Sequence, residues 1–169
     1  MIIKHKVNVQ NSCKKKLDSE HKRLIIKAIT GTLENEGVDS RCVVNILITD
    51  DKGISEFNRE YRDIDKATDV LSFPMQTFWK EGWTGHSDLE FDEDTGELPL
   101  GDIVISIDTV IKHAADYGNT VEYESVYMLI HSALHLLGYD HINECGEKAM
   151  QQKQDAIIKE MGFEKYNDK

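Results

Sequence analysis

His131-Ser132-Ala133-Leu134-His135-Leu136-Leu137-Gly138-Tyr139-Asp140-His141 packs three histidines into eleven residues, and its reading decides what kind of domain this chain builds. On a helix, His131 and His135 are four residues apart and project from one face, one turn above the other. Gly138 can enter the left-handed conformation without strain, which is how many helices end. The chain can turn back there and bring His141 towards the other two. Three neutral nitrogen donors would then occupy one side of a metal ion, leaving a fourth position to water. That count describes catalytic zinc, whereas structural zinc usually has four protein ligands. The segment predicts a metal site at a helix end in the C-terminal half, with His131, His135 and His141 as ligands.

Outward from this run, the periodicities alternate between strand and helix. Lys6 to Val9 and Val43 to Thr49 read as strands from their β-branched content. Between them, Leu24, Ile25, Ala28, Ile29 and Leu33 recur at the helical period within Ser19 to Glu36, and Gly37 stops that helix. A helix over about 54–61, a loop carrying Arg62, and a strand from Val70 to Phe73 closed by Pro74 follow. The acidic stretch 76–99, with Gly82, Gly85, Gly96 and Pro99, reads as a long loop or hairpin. Ile103 to Ile107 is the next strand. Helices over about 108–117, 120–137 and 145–161 complete the chain, with Asn119 or Thr120 able to cap the histidine-bearing one. Early strands and a helical second half predict an α+β domain, a small mixed sheet covered by helices. Strand order does not follow from these residues.

A length of 169 residues, without repeats or a Pro- or Ser-rich linker, predicts a single domain over 1–169 with a sizeable core. At 40% apolar and 30% charged residues, the composition is that of an ordinary globular protein. The longest apolar run, Val126 to Ile130, is far too short to span a bilayer. Charges within Met1 to Val7 argue for a first strand over a signal core. Cys13, Cys42 and Cys145 are widely spaced and fit no metal pattern, so reduced thiols in the cytoplasm are the simplest expectation. The net charge of −11 argues against a nucleic-acid grip at first sight. Its distribution is uneven, however. Residues 1–27 carry eight Lys or Arg against Asp18 and Glu20, while residues 75–102 carry eight acids against Lys80. A basic face over Lys14 to Lys27 therefore fits the acidic total, as does an ordinary solvated helix.

The histidine spacing matches the metalloprotease pattern H-E-x-x-H-x-x-G-x-x-H at every ligand position and at the glycine. Ser132 stands where a peptidase keeps its glutamate base, and a hydroxyl is too weakly basic to take a proton from bound water. The cage is that of a hydrolase, but the peptidase base is missing.

The run His131 to His141 resembles the H-G-x-L-H-L-x-G-Y-D-H motif of the YbeY family of bacterial rRNA-maturation endoribonucleases. Tyr61-Arg62-Asp63-Ile64-Asp65-Lys66-Ala67-Thr68-Asp69-Val70-Leu71-Ser72-Phe73-Pro74 resembles that family's Y-R-x-x-D-x-P-T-D-V-L-S-F-P segment. Leu100-Gly101-Asp102-Ile103-Val104-Ile105-Ser106 is similar to its L-G-D-I-x-I-S strand. The three segments stand in family order, with Ser132 in place of the usual glycine and Ala67 in place of the usual proline. The resemblance implies a single-strand-specific, metal-dependent endoribonuclease acting in ribosomal RNA maturation and ribosome quality control. It implies one zinc ion, though other divalent transition metals suit the same donors. It further implies ribosomal RNA and the small subunit with its assembly factors as partners, with no DNA and no membrane, in the cytoplasm.

It also implies a role for Arg62 near the metal cleft. A guanidinium suits charge developing on phosphoryl oxygens better than an ammonium does. Taken without the resemblance, Arg62 reads as a surface residue paired with Asp63 or Asp65. Asp140 could orient a histidine as a carboxylate behind the ligands, or simply stabilise the turn. Two competing functions stay open: a metallopeptidase-like hydrolase, and a non-catalytic, zinc-stabilised ribosome-assembly factor with a fourth protein ligand.

Overall fold

The chain alternates strand and helix as β1 (Lys6–Asn11), α1 (Ser19–Asn35), β2 (Cys42–Thr49), α2 (Asp51–Arg62), β3 (Val70–Pro74), β4 (Leu98–Ser106), α3 (Ile107–Tyr117), α4 (Val121–Leu136) and α5 (Glu144–Glu160). This computed structural model describes residues 2–78, 82–83, 88–140 and 144–163. Short polar side chains start four of the helices. Asp18, Asp50, Ser106 and Thr120 each accept a hydrogen bond from a backbone N–H of the first turn, satisfying donors that have no partner within the helix.

The strands form one mixed sheet in the order β1-β2-β4-β3, with β1, β2 and β4 parallel and β3 antiparallel to β4. The fold is α+β, as the strand and helix periods predict. One expectation is corrected. Pro99 falls in the loop expected before a strand at Ile103, yet β4 begins at Leu98. Pro99 pairs with Val43 where the register shifts between Val43 and Val44. Such an irregularity tolerates a residue with no N–H to give. Gly101 follows at φ 148°, where a Cβ would lie 2.3 Å from the Phe73 carbonyl oxygen. Only glycine permits that close approach of β3.

Alternation along the strands divides the sheet into two faces. Val44, Ile46, Ile48, Ile103 and Ile105 join Ile25, Ile29 and Leu33 of α1 and Val126, Leu129 and Ala133 of α4 in the main core. On the other face, Ile54 of α2 covers Leu71 and Val104 in a smaller cluster. Helix α4 is buried on almost every side, packed among α1, α3, α5 and β3. A helix buried on nearly every side is an interior helix even where, as here, it carries Glu124, Ser125 and Ser132 among its buried residues. Each fully buried Leu or Ile contributes about 1.5–3 kcal/mol, so the backbone carrying His131 and His135 is firmly held.

His21 is a polar exception within this packing, only 6% exposed. Ser125 Oγ donates to the Val121 carbonyl at 2.9 Å and lies 3.0 Å from His21 Nε2. The hydroxyl's one proton is spent, so it accepts from a neutral imidazole. Burial lowers the His21 pKa, opposed in part by Glu122 and Asp18. The unfolded chain then binds the proton more readily than the folded one. The His21 contribution is complete above about pH 6.5 and is lost as pH falls below it, at no more than about 1.4 kcal/mol per unit. His21→Gln, which keeps a donor for Ser125, should flatten the fall in urea midpoint between pH 7.5 and 5.5, conditions chosen about that value. Identical pH slopes for the two proteins would exclude this role.

Candidate metal centre

The end of α4 is built by a local rule. Leu137 is its C-cap, and Gly138 follows at φ 90°. The Gly138 N–H donates to the His135 carbonyl at 3.0 Å and the Tyr139 N–H to the Leu134 carbonyl at 3.1 Å. These are the two bonds of a Schellman stop. The reversal also brings the Tyr139 carbonyl back over the helix, where it accepts from His135 Nδ1 at 2.8 Å. A carbonyl can only accept, so His135 carries its proton on Nδ1 and presents the Nε2 lone pair. His131 is oriented in the same sense: its Nδ1 lies 3.2 Å from Gln154 Oε1, on α5.

The two Nε2 atoms consequently face each other at 2.9 Å. Two nitrogen donors of one tetrahedral zinc lie about 3.3 Å apart, given bonds of about 2.0–2.1 Å. Neutral imidazoles with their far nitrogens fixed by acceptors are the donor set that a divalent transition ion selects. His141, the third predicted ligand, lies outside the described residues. Among the described residues, no third His, Cys, Asp or Glu completes the pair.

His131 and His135 line a cleft of about 710 Å³, together with Arg62, Thr68, Asp69, Ser72, Gln76 and Asp140. Arg62 thus lines the same cleft as the histidines, although nearly seventy positions separate it from His131 in sequence. It is the last residue of α2, and Asp63 then turns the chain at φ 56°. The alternative pairing with Asp63 or Asp65 does not occur; among the described residues Arg62 forms no ion pair. A second hollow of about 460 Å³ shares Asp69, Val70 and His131 with the first. The histidines therefore stand between two adjoining recesses.

Other candidates sort differently. Ser132 is fully buried and its Oγ has no partner among the described residues, so it cannot act on a substrate in the cleft. Removing a buried, unsatisfied hydroxyl relieves a cost of about 1–3 kcal/mol. Ser132→Ala should therefore melt no lower than the parent and retain its RNA cleavage. A loss of several orders of magnitude at unchanged metal content would give Ser132 a catalytic role. Asp140 lines the cleft, but the acceptors behind His131 and His135 are Gln154 and the Tyr139 carbonyl. Asp102 lies on the opposite sheet face, accepting from Asn45 at 3.0 Å. The basic segment Lys14 to Lys27 is absent from the cleft lining, and Lys15 pairs with Asp108 at 3.0 Å.

Two features behind the ligands were not read from sequence. Gln154 is 4% exposed and shares a helical face with Met150, Ile157 and Ile158. A single polar residue in that apolar stripe was the available signal. Tyr139 does more than pack: its hydroxyl donates to Glu36 Oε2 at 2.6 Å, and Lys153 donates to Glu36 Oε1 at 2.9 Å. Burial raises the Tyr139 pKa, and the bond to Glu36 raises it further, so the phenol stays a donor. The cluster ties the turn after α4 to α1 and α5.

An α+β domain with paired helical histidines and an arginine in one cleft is the plan of a metal-assisted hydrolase. The chain belongs to the endoribonuclease YbeY family, whose model matches residues 8–162. It is similar to the Endoribonuclease YbeY of Acetivibrio thermocellus, 40% identical over 158 residues that cover 94% of this chain and 96% of the relative. The Agathobacter rectalis protein of the same name is 36% identical over 148 residues, 85% of this chain and 90% of its own. Among solved structures, the solution structure of a Thermotoga maritima protein is 26% identical with a TM-score of 0.59, covering 91% of this chain and 87% of that one.

Proposed function

We propose that this chain is a metal-dependent endoribonuclease that cuts single-stranded segments of ribosomal RNA, acting as one domain over 1–169. Membership of the endoribonuclease YbeY family supports the nuclease activity and the RNA substrate. The observation that carries the site reading is that Arg62 shares its cleft with His131 and His135. His131, His135 and His141 would hold one divalent ion, zinc being among the transition metals that imidazole nitrogen suits. When bound, such an ion supplies Lewis acidity and a water activated near neutral pH.

The remaining work falls to this chain's own side chains. Arg62 would bind the phosphoryl oxygens with two parallel N–H donors and neutralise charge as it grows there. The Nδ1 protons of His131 and His135 stay with Gln154 and Tyr139, keeping both Nε2 atoms aimed into the cleft. With Ser132 buried inside α4, the position of a peptidase base is closed, which disfavours the metallopeptidase reading. No helix among the described residues is long and apolar enough to cross a membrane. Action in the cytoplasm on the ribosomal small subunit, together with its assembly factors, fits this substrate.

The test is metal analysis of the purified protein alongside cleavage of single-stranded and duplex RNA and of an unstructured protein. Cleavage of single-stranded RNA with about one metal per chain, lost on chelation and restored by zinc, supports the proposal. Proteolysis in place of RNA cleavage would revive the peptidase. Metal without any turnover would leave the assembly-factor reading.

A further inference from the structure

Helix α5 meets His131 at Gln154. Met150, Ile157 and Ile158 anchor it in the core at 2%, 1% and 4% exposure, and Gln154 projects from the same face. A buried amide in such a stripe needs partners, and Gln154 Oε1 finds one in His131 Nδ1 at 3.2 Å. The neighbouring Lys153 reaches Glu36, which holds the Tyr139 hydroxyl. Tyr139 in turn supplies the carbonyl behind His135. The Nδ1 atoms of His131 and His135 are thus each fixed by an acceptor, the first by a side chain and the second by the backbone.

We propose that Gln154 is a positioning residue for the metal centre: its side-chain oxygen holds His131 as the Nδ1–H tautomer with Nε2 turned to the ion. An imidazole free to flip or to move its proton to Nε2 offers no lone pair at the site. Fixing ring and tautomer in advance removes that cost from binding, and losing such a partner commonly weakens metal affinity by about 10–100-fold. An amide in this place is neutral, so it orients His131 without cancelling the ion's charge, as a carboxylate would. The backbone carbonyl behind His135 cannot be removed by substitution, which makes Gln154 the side of the pair that sequence can tune. The inference rests on the reading of His131 and His135 as ligands.

The test titrates zinc into the full-length, metal-stripped protein against a chromogenic chelator, for the parent, Gln154→Leu, Gln154→Glu and His131→Ala. Long-range nitrogen–proton NMR on the metal-free proteins reports the His131 tautomer directly, and thermal melting reports the fold. Gln154→Leu should bind zinc about 10–100-fold more weakly and show His131 with mixed tautomers. Gln154→Glu, which keeps an acceptor, should restore both parental affinity and the Nδ1–H form. A Leu variant that unfolds leaves the Glu variant to decide, since a purely structural amide predicts no tautomer rescue. Parental zinc affinity and a single Nδ1–H tautomer in Gln154→Leu, with His131→Ala losing zinc, would overturn this inference alone. Parental affinity in His131→Ala would overturn the ligand assignment beneath it.

Discussion

His135→Ala should abolish stoichiometric zinc binding while leaving the domain folded. Loss of an acceptor behind a ligand weakens binding about 10–100-fold, so loss of the ligand itself should exceed that range. The geometry explains why no neighbour among the described residues can substitute. His131 Nε2 faces His135 Nε2 at 2.9 Å, and among the described residues no other His, Cys, Asp or Glu lies close enough to form a group of three. The fold has little to lose, because α4 is held by Val126, Leu129, Ile130, Ala133 and Leu134, all buried in the core. The Tyr139 carbonyl forfeits its bond from Nδ1, at a cost of about 1–3 kcal/mol if no water replaces it. A modest drop in melting temperature with an intact far-UV circular dichroism spectrum is the expected companion. Elemental analysis after dialysis decides the matter. One zinc per chain at parental affinity in His135→Ala would mean that the ion sits elsewhere.

The legible part of this protein was its local chemistry. His131, His135 and Gly138 announce themselves because helical period and a helix stop are short-range properties, and the two Schellman bonds fall where Gly138 predicts. Thr120, one of two capping candidates, accepts from Tyr123 N–H as a cap should. What depends on tertiary assembly was not legible. Arg62 reaches the histidine cleft only because β3 and β4 pair at the sheet's far side, beyond β2, an order no local pattern encodes. By its own residues Arg62 read as a surface ion-pair partner, and only the family resemblance placed it near the metal. Pro99 misled because a proline inside a strand is allowed at an irregularity of register, visible only once Val43 is known to be its partner. Gln154 and Glu36 escaped for the same reason: their partners, His131 and Tyr139, lie 23 and 103 residues away in sequence.

Arg62→Ala should keep its metal and its melting temperature while cutting RNA cleavage by about a hundredfold or more, the scale seen when one preorganised donor is removed from a developing oxyanion. The residue is exposed at the end of α2, and among the described residues it forms no ion pair. Truncation therefore removes no packing and strands no buried carboxylate, which is why stability should hold. Its position in the cleft with His131 and His135 gives it a target that is weakly charged in the ground state and more so as the phosphorus gains its fifth oxygen. A contact strengthened mainly in the transition state affects turnover more than affinity. Single-turnover cleavage should fall while the RNA concentration at half-saturation moves little. Arg62→Lys should recover only part of the rate, since a point charge lacks the two parallel donors of a guanidinium. If Arg62→Ala instead unfolds, its role is structural. If it cleaves at the parental rate, the cation that serves the phosphoryl group lies elsewhere, and charge reversal across Lys14 to Lys27 is the next substitution to make.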